Sequence, residues 1–170
     1  PAALDGARIG YVPSMIGSNP TTVRVWNEAR AKLEELGATV VEVTAPDGFS
    51  SVLGEPSGST NEFKHDLDAY IAAHLAAEVE ARSLEGILES GRYVPSRQNT
   101  YVTRNGITPE VYDAWAGPTG THTVAIATGK ALVTHLLDDL ELDALVYPSG
   151  NPYSTQSTNL RLSPNTGMPS

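Results

Sequence analysis

Residues 8–43 constrain the fold more than any other part of the chain, because they read as a complete β-α-β unit. Arg8-Ile9-Gly10-Tyr11-Val12 is a short apolar run halted by Pro13, as a buried strand would be. After a loop at 14–18, Asn19-Pro20 offers an N-cap followed by proline at the first helical position. Val23, Trp26, Ala29, Leu33 and Leu36 then recur at three- and four-residue spacing, which predicts one buried helical face. Gly37 suits the left-handed geometry that ends a helix, and residues 38–43 return as a β-branched strand. Such a crossover joins parallel strands and is nearly always right-handed.

The rest of the chain continues the alternation. Residues 44–58 read as a loop, after which Ser59 and Glu62 fit a capping box. Phe63, Leu67, Tyr70 and Ile71 continue as an apolar stripe, and a second capped helix runs from Ser83 to Glu89 before Gly91. Residues 92–107 have no period and read as an ordered loop. Thr108-Pro109 opens a short helix that Gly117-Pro118 ends. The longest predicted helix covers 123–140, with Val124, Ala127, Ala131, Leu132 and His135 at helical spacing. Asp143-Ala144-Leu145-Val146-Tyr147 is a third strand, stopped by Pro148. The expected class is α/β, a mixed, mainly parallel sheet covered by helices, in a single α/β region spanning 1–170. Three strands under that many helices leave apolar surface uncovered, so the expectation is an incomplete part of a larger fold. The start at Pro1 and the stop at Ser170 agree with that expectation.

Composition narrows the partners. Twenty acidic against eleven basic residues give a net charge of −9, which argues against nucleic acid and anionic membrane. No apolar run approaches the ~20 residues needed to span a bilayer. Zero cysteines exclude disulfides, thiol catalysis and cysteine-based metal sites. The compartment stays open, with the cytoplasm favoured over export.

Few residues present themselves as chemistry. Glu62, His65, Asp66 and Asp68 could suggest a metal cluster, but Asp66 and Asp68, two apart on a helix, face different sides, and the set reads as a solvated face; His135 with Asp138 and Asp139 reads as a charged helix end. Neither set predicts a metal site, and no cofactor is expected. There is no Gly-x-Ser-x-Gly elbow and no glycine-rich phosphate loop. Ligands in open α/β sheets sit beyond the carboxyl ends of strands, which makes Tyr147, Ser149, Asn165 and Thr166 the candidate substrate-lining residues.

The order of several segments resembles the part of amidase signature hydrolases that follows their catalytic centre. The matching pieces are Leu4-Asp5-Gly6-Ala7-Arg8-Ile9-Gly10, Leu36-Gly37-Ala38-Thr39-Val40-Val41 and the run from Asn61 to Tyr70. Arg82-Ser83-Leu84, Leu142-Asp143-Ala144-Leu145-Val146-Tyr147-Pro148 and the tail from Leu162 to Pro169 complete the series. The resemblance implies a parent hydrolase of carboxylic amides that works through a Ser–cis-Ser–Lys triad. In it a neutral lysine accepts a proton through the middle serine, and the second serine attacks the carbonyl while backbone N–H groups hold the oxyanion. In the family these groups lie in an N-terminal lysine segment and a Gly-Gly-Ser-Ser-Gly-type loop, neither of which occurs in this sequence. No catalytic residue is carried over, and the chain alone is expected to be inactive. The partners so implied are an N-terminal catalytic part and a small-molecule amide substrate, and self-association through uncovered sheet is expected. The rival reading is a self-contained α/β ligand-binding or interaction module without catalysis.

Overall fold

A computed structural model describes residues 4–152 and 157–170. Along the chain run β1 (Arg8–Tyr11), α1 (Pro13–Ile16), α2 (Pro20–Glu35), β2 (Thr39–Glu42), α3 (Phe49–Gly54), α4 (Ser59–His74), α5 (Leu84–Ser90), α6 (Gln98–Asn105), α7 (Pro109–Ala116), α8 (Thr121–Asp139) and β3 (Ala144–Leu145). Short 3-10 turns occupy Pro95–Arg97 and Thr158–Arg161. The class is α/β with a parallel sheet, as the sequence predicts. Contacts divide the chain into two compact units, one of residues 1–55 with 125–170 and one of residues 56–124. The sheet belongs to the first and the second is helical. No described helix is long and apolar enough to cross a membrane.

In the sheet unit the strand order is β2-β1-β3, all parallel, with Arg8 opposite Thr39 and Ile9 opposite both Val40 and Ala144. The central strand is the buried one: Ile9 and Tyr11 are both nearly inaccessible. Gly10 lies between them because nothing larger fits. A Cβ there would stand 2.6 Å from Leu142 Cδ1 and 3.0 Å from both Leu145 Cδ2 and Val43 Cγ2. Arg8 fastens the start of β1 to the approach of β3. Its backbone N–H donates to Asp143 Oδ2 at 2.7 Å, and its Nε donates to the Leu140 carbonyl at 2.9 Å. The core gathers Val12, Met15, Val43, Phe49, Val52, Val133, Leu136, Leu142 and Leu162.

Helix α2 begins as its sequence dictates, with Asn19 Oδ1 accepting from the Thr21 and Thr22 N–H groups and Pro20 at the first position. It ends at Glu35, and Gly37 takes φ +96° where a side chain would be strained and would crowd Asp5. Of its predicted buried face, Trp26 is buried, whereas Ala29 and Leu36 are exposed. The buried stripe of α8 likewise differs from the expected one: it is Gly129, Val133 and Leu136, leaving Ala131 and His135 exposed. Two helices replace predicted loops, α1 at 13–16 and α3 at 49–54, and each is too short to display a period.

The helical unit buries Ile71 and Leu84 and is joined by polar and ring contacts as well. Ser83 caps α5 by accepting from the Gly86 N–H at 3.0 Å, while Asp68 of α4 accepts from the Leu84 N–H at 2.6 Å. Helix α6 lies inside the stretch expected to be a loop. Its Tyr101 ring stacks on Phe63 at 5.7 Å, and its Arg104 guanidinium lies 4.4 Å from the centroid of the same ring. The expected capping box at the start of α4 does not form. Gly58 already has helical angles (φ −68°, ψ −7°), so Ser59 falls inside the helix, and its hydroxyl meets Arg104 Nη2 at 3.4 Å.

Candidate functional site

The carboxyl end of β3 opens onto a groove of about 360 Å³, walled by the first half of α2 on one side and residues 146–152 on the other. Val25, Trp26 and Ala29 present the α2 wall, and Tyr147, Pro148 and Ser149 face them. Successive turns of α2 explain the spacing, since residues three and four apart share a face. Trp26 is held from behind by the Tyr11 ring, 5.0 Å away between centroids, and Tyr11 is fixed by donating its hydroxyl to Glu42 Oε2 at 2.9 Å. The indole is thus a rigid wall.

A polar seam closes one end. Thr22, almost wholly buried, donates its hydroxyl to Asn151 Oδ1 at 3.0 Å. The loop leading there is pinned by Asn159, whose Nδ2 donates to the Met15 carbonyl at 2.6 Å and the Pro148 carbonyl at 2.8 Å. Every described residue lining the groove is uncharged at neutral pH. Burial pushes the Tyr147 phenol above its ordinary value of 10.0, so it too stays neutral.

The four sequence-predicted lining residues do not all border one groove. Tyr147 and Ser149 border the groove. Asn165 and Thr166 are buried in the tail instead, with their side chains committed to the backbone. Asn165 Nδ2 donates to the Val52 carbonyl at 2.7 Å and the Glu55 carbonyl at 3.2 Å, tying the tail to α3. Thr166 Oγ1 donates to the Leu162 carbonyl at 2.8 Å and accepts from the Met168 N–H at 3.3 Å. Thr166 borders a separate hollow of about 290 Å³ beyond β3, shared with Tyr147, Leu162 and Met168. Thr22, Trp26, Asn151 and Asn159 escaped the sequence reading. Trp26 carried a helical-period signal that marks it only as core, and the others join the groove through contacts of long sequence separation.

Of the polar helix residues, His65, Asp66 and Asp68 are engaged locally. His65 Nδ1 meets Asp66 Oδ1 at 2.9 Å while the ring stacks on Tyr112, and among the described residues no group of three His, Asp or Glu side chains converges. Lys32 pairs with Glu35 at 2.7 Å, and Lys64 pairs with Asp68 at 3.1 Å and Asn105 at 3.0 Å.

Among known proteins, no family model and no curated relative matches the sequence. Solved structures do match it. The chain aligns over 98% of its length with 36% of the peptide amidase PAM in complex with the competitive inhibitor chymostatin, at 21% identity and a TM-score of 0.67. The native peptide amidase from Stenotrophomonas maltophilia is similar over 98% of this chain and 35% of its own, at 20% identity and the same TM-score of 0.67. An amidase family protein from Bacillus anthracis str. Ames matches 85% of this chain with 28% of its own, at 19% identity and a TM-score of 0.62. The chain spans about a third of the length of these proteins. At such identities the likeness is one of backbone architecture, and what the chain carries is a partial amidase fold.

Proposed function

We propose that this chain is the scaffold part of a hydrolase of carboxylic amide C–N bonds, supplying parallel strands, covering helices and one wall of the substrate site. The observation that carries the reading is the match of 98% of this chain to 36% of a peptide amidase. The groove supports it, because an uncharged wall at the carboxyl end of a strand suits a neutral amide better than a charged ligand. The proton-transfer groups of such a hydrolase belong, on this reading, to a catalytic part outside these 170 residues. Lys32 and Lys64 are engaged with carboxylates rather than poised beside a serine. The partners are then that catalytic part and a small-molecule amide.

The test is direct. The purified chain is incubated with aryl and peptide carboxamides, and separately with a serine-directed fluorophosphonate followed by mass spectrometry. No product above a buffer control and no serine adduct are expected. Turnover, or a stoichiometric adduct on one serine, contradicts the proposal.

A further inference from the structure

We infer that the outer edge of β2, with the groove between it and α8, receives an extended segment of another polypeptide that carries apolar residues at alternate positions and Lys or Arg at its ends. This face shares no lining residue with the groove beside α2, and nothing in it depends on the hydrolase reading. Backbone polarity, shape and charge each lead there.

The order β2-β1-β3 leaves one side of β2 without a strand among the described residues. The Thr39 N–H donates to the Ala7 carbonyl and the Val43 N–H to the Tyr11 carbonyl, both at 2.8 Å. Successive residues of a strand alternate, so Val40 and Glu42 turn their N–H and C=O groups outward, away from β1. A row of such groups is a template for one more strand. A hollow of about 820 Å³ follows that edge, floored by Val41, Val43 and Leu132 and running along α8 from Thr128 to Leu140. That length of helix covers roughly 16 Å, the reach of a strand of about five residues. Alternate side chains of such a strand would meet Val41 and Leu132, and strand addition draws its affinity from the backbone and its selectivity from those side chains.

Charge chooses the ends. The lining holds three carboxylates, Glu42, Asp47 and Asp139, and no lysine or arginine. Glu42 already accepts from the Tyr11 hydroxyl, so it offers the edge its backbone. Asp47, in the loop after β2, and Asp139, in the last turn of α8, are exposed and pair with no cation among the described residues. That last turn has no basic residue, so Asp139 adds its charge to the negative end of the helix dipole. Acids left unneutralised beside an apolar floor favour a cation-flanked segment over a neutral or acidic one. A second copy docking by the same edge would bring the same acids from a chain of net charge −9, which leaves self-association to other surfaces.

Two end-capped, fluorescein-labelled peptides of one core, Lys-Val-Thr-Val-Thr-Val-Lys and Glu-Val-Thr-Val-Thr-Val-Glu, are titrated into the intact chain by anisotropy, with the Val40 and Glu42 amides followed by two-dimensional NMR. The basic peptide is expected to bind roughly ten-fold tighter than the acidic one at low salt, with the gap closing as salt rises. Hydrogen exchange at Val40 and Glu42 should slow as their N–H groups gain acceptors. The basic peptide N-methylated on its valines, or on its threonines, loses the donors of one side, and one of these two forms is expected not to bind. Asp47→Asn combined with Asp139→Asn should weaken the basic peptide several-fold, and Ala131→Trp, at an exposed position in the lining, should block it. Equal affinity for the basic and acidic peptides, undiminished binding of both N-methylated forms, or undiminished binding in Ala131→Trp overturns the inference. So do Val40 and Glu42 amides that respond to no peptide, or that shift with protein concentration alone, which assigns the edge to a second copy.

Discussion

Gly10 shows how one missing side chain sets the architecture. Three branched side chains, Leu145 of β3, Leu142 just before it and Val43 just after β2, crowd the place a Cβ would take. Gly10→Ala therefore overpacks the centre of the sheet and is expected to cost about 1–3 kcal/mol, seen as a lower urea midpoint with an unchanged slope. Tyr147 makes a prediction about pH. Its phenol is raised by burial in the folded chain, so between the ordinary value of 10.0 and the raised one the unfolded chain holds fewer protons than the folded one. Stability therefore falls as pH rises above 10.0, and Tyr147→Phe should flatten part of that fall in melts recorded from pH 9 upward. The same residue marks what the sequence could and could not reveal. Tyr147 and Ser149 follow from the rule that ligands sit past strand ends, a local signal. The Thr22–Asn151 seam joins residues 129 positions apart, and no local pattern announces it. Asn165 and Thr166 lie in the tail expected to reach the site, but buried carbonyls of α3 and of the tail itself claim their polar atoms first.

At the scale of elements, legibility followed length and capping. Helix α2 was readable because Asn19, Pro20 and Gly37 punctuate it and Trp26 falls on a helical period. The short α1 and α3 offered neither signal. Helix α6 hid because what holds it is the stacking of Tyr101 and Arg104 on Phe63 from another helix, not an apolar stripe of its own. Strand β3 shrinks from the five residues expected to Ala144–Leu145, which pair with Ile9 and Gly10, while the flanking Asp143 and Val146 N–H groups still donate to the Arg8 and Gly10 carbonyls. The serines at helix starts give a paired test. Ser83 accepts a backbone N–H at 3.0 Å, so Ser83→Ala should cost about 1 kcal/mol. Ser59 caps nothing, and Ser59→Ala should change stability by less than about 0.5 kcal/mol. Thermal melts of the two variants side by side check the contrast, and equal losses would restore the capping box that the sequence suggests.

For the whole molecule, the sheet unit is notable for what its faces leave open. Val25, Leu36, Leu140 and Leu160 are each at least 37% exposed, and both outer strands of the described sheet present unpaired edges. Isolated large apolar side chains are ordinary on a surface; here they accompany a fold matched to about a third of larger proteins. The proposed scaffold role accounts for both features together, because the remainder of a hydrolase would cover such surface. Sedimentation velocity across a hundred-fold concentration range, with a hydrophobic dye in parallel samples, measures that most directly. The account predicts concentration-dependent association and dye fluorescence well above that of a typical folded monomer. A single monomeric species at every concentration, dark to the dye and melting in one sharp transition, would contradict it.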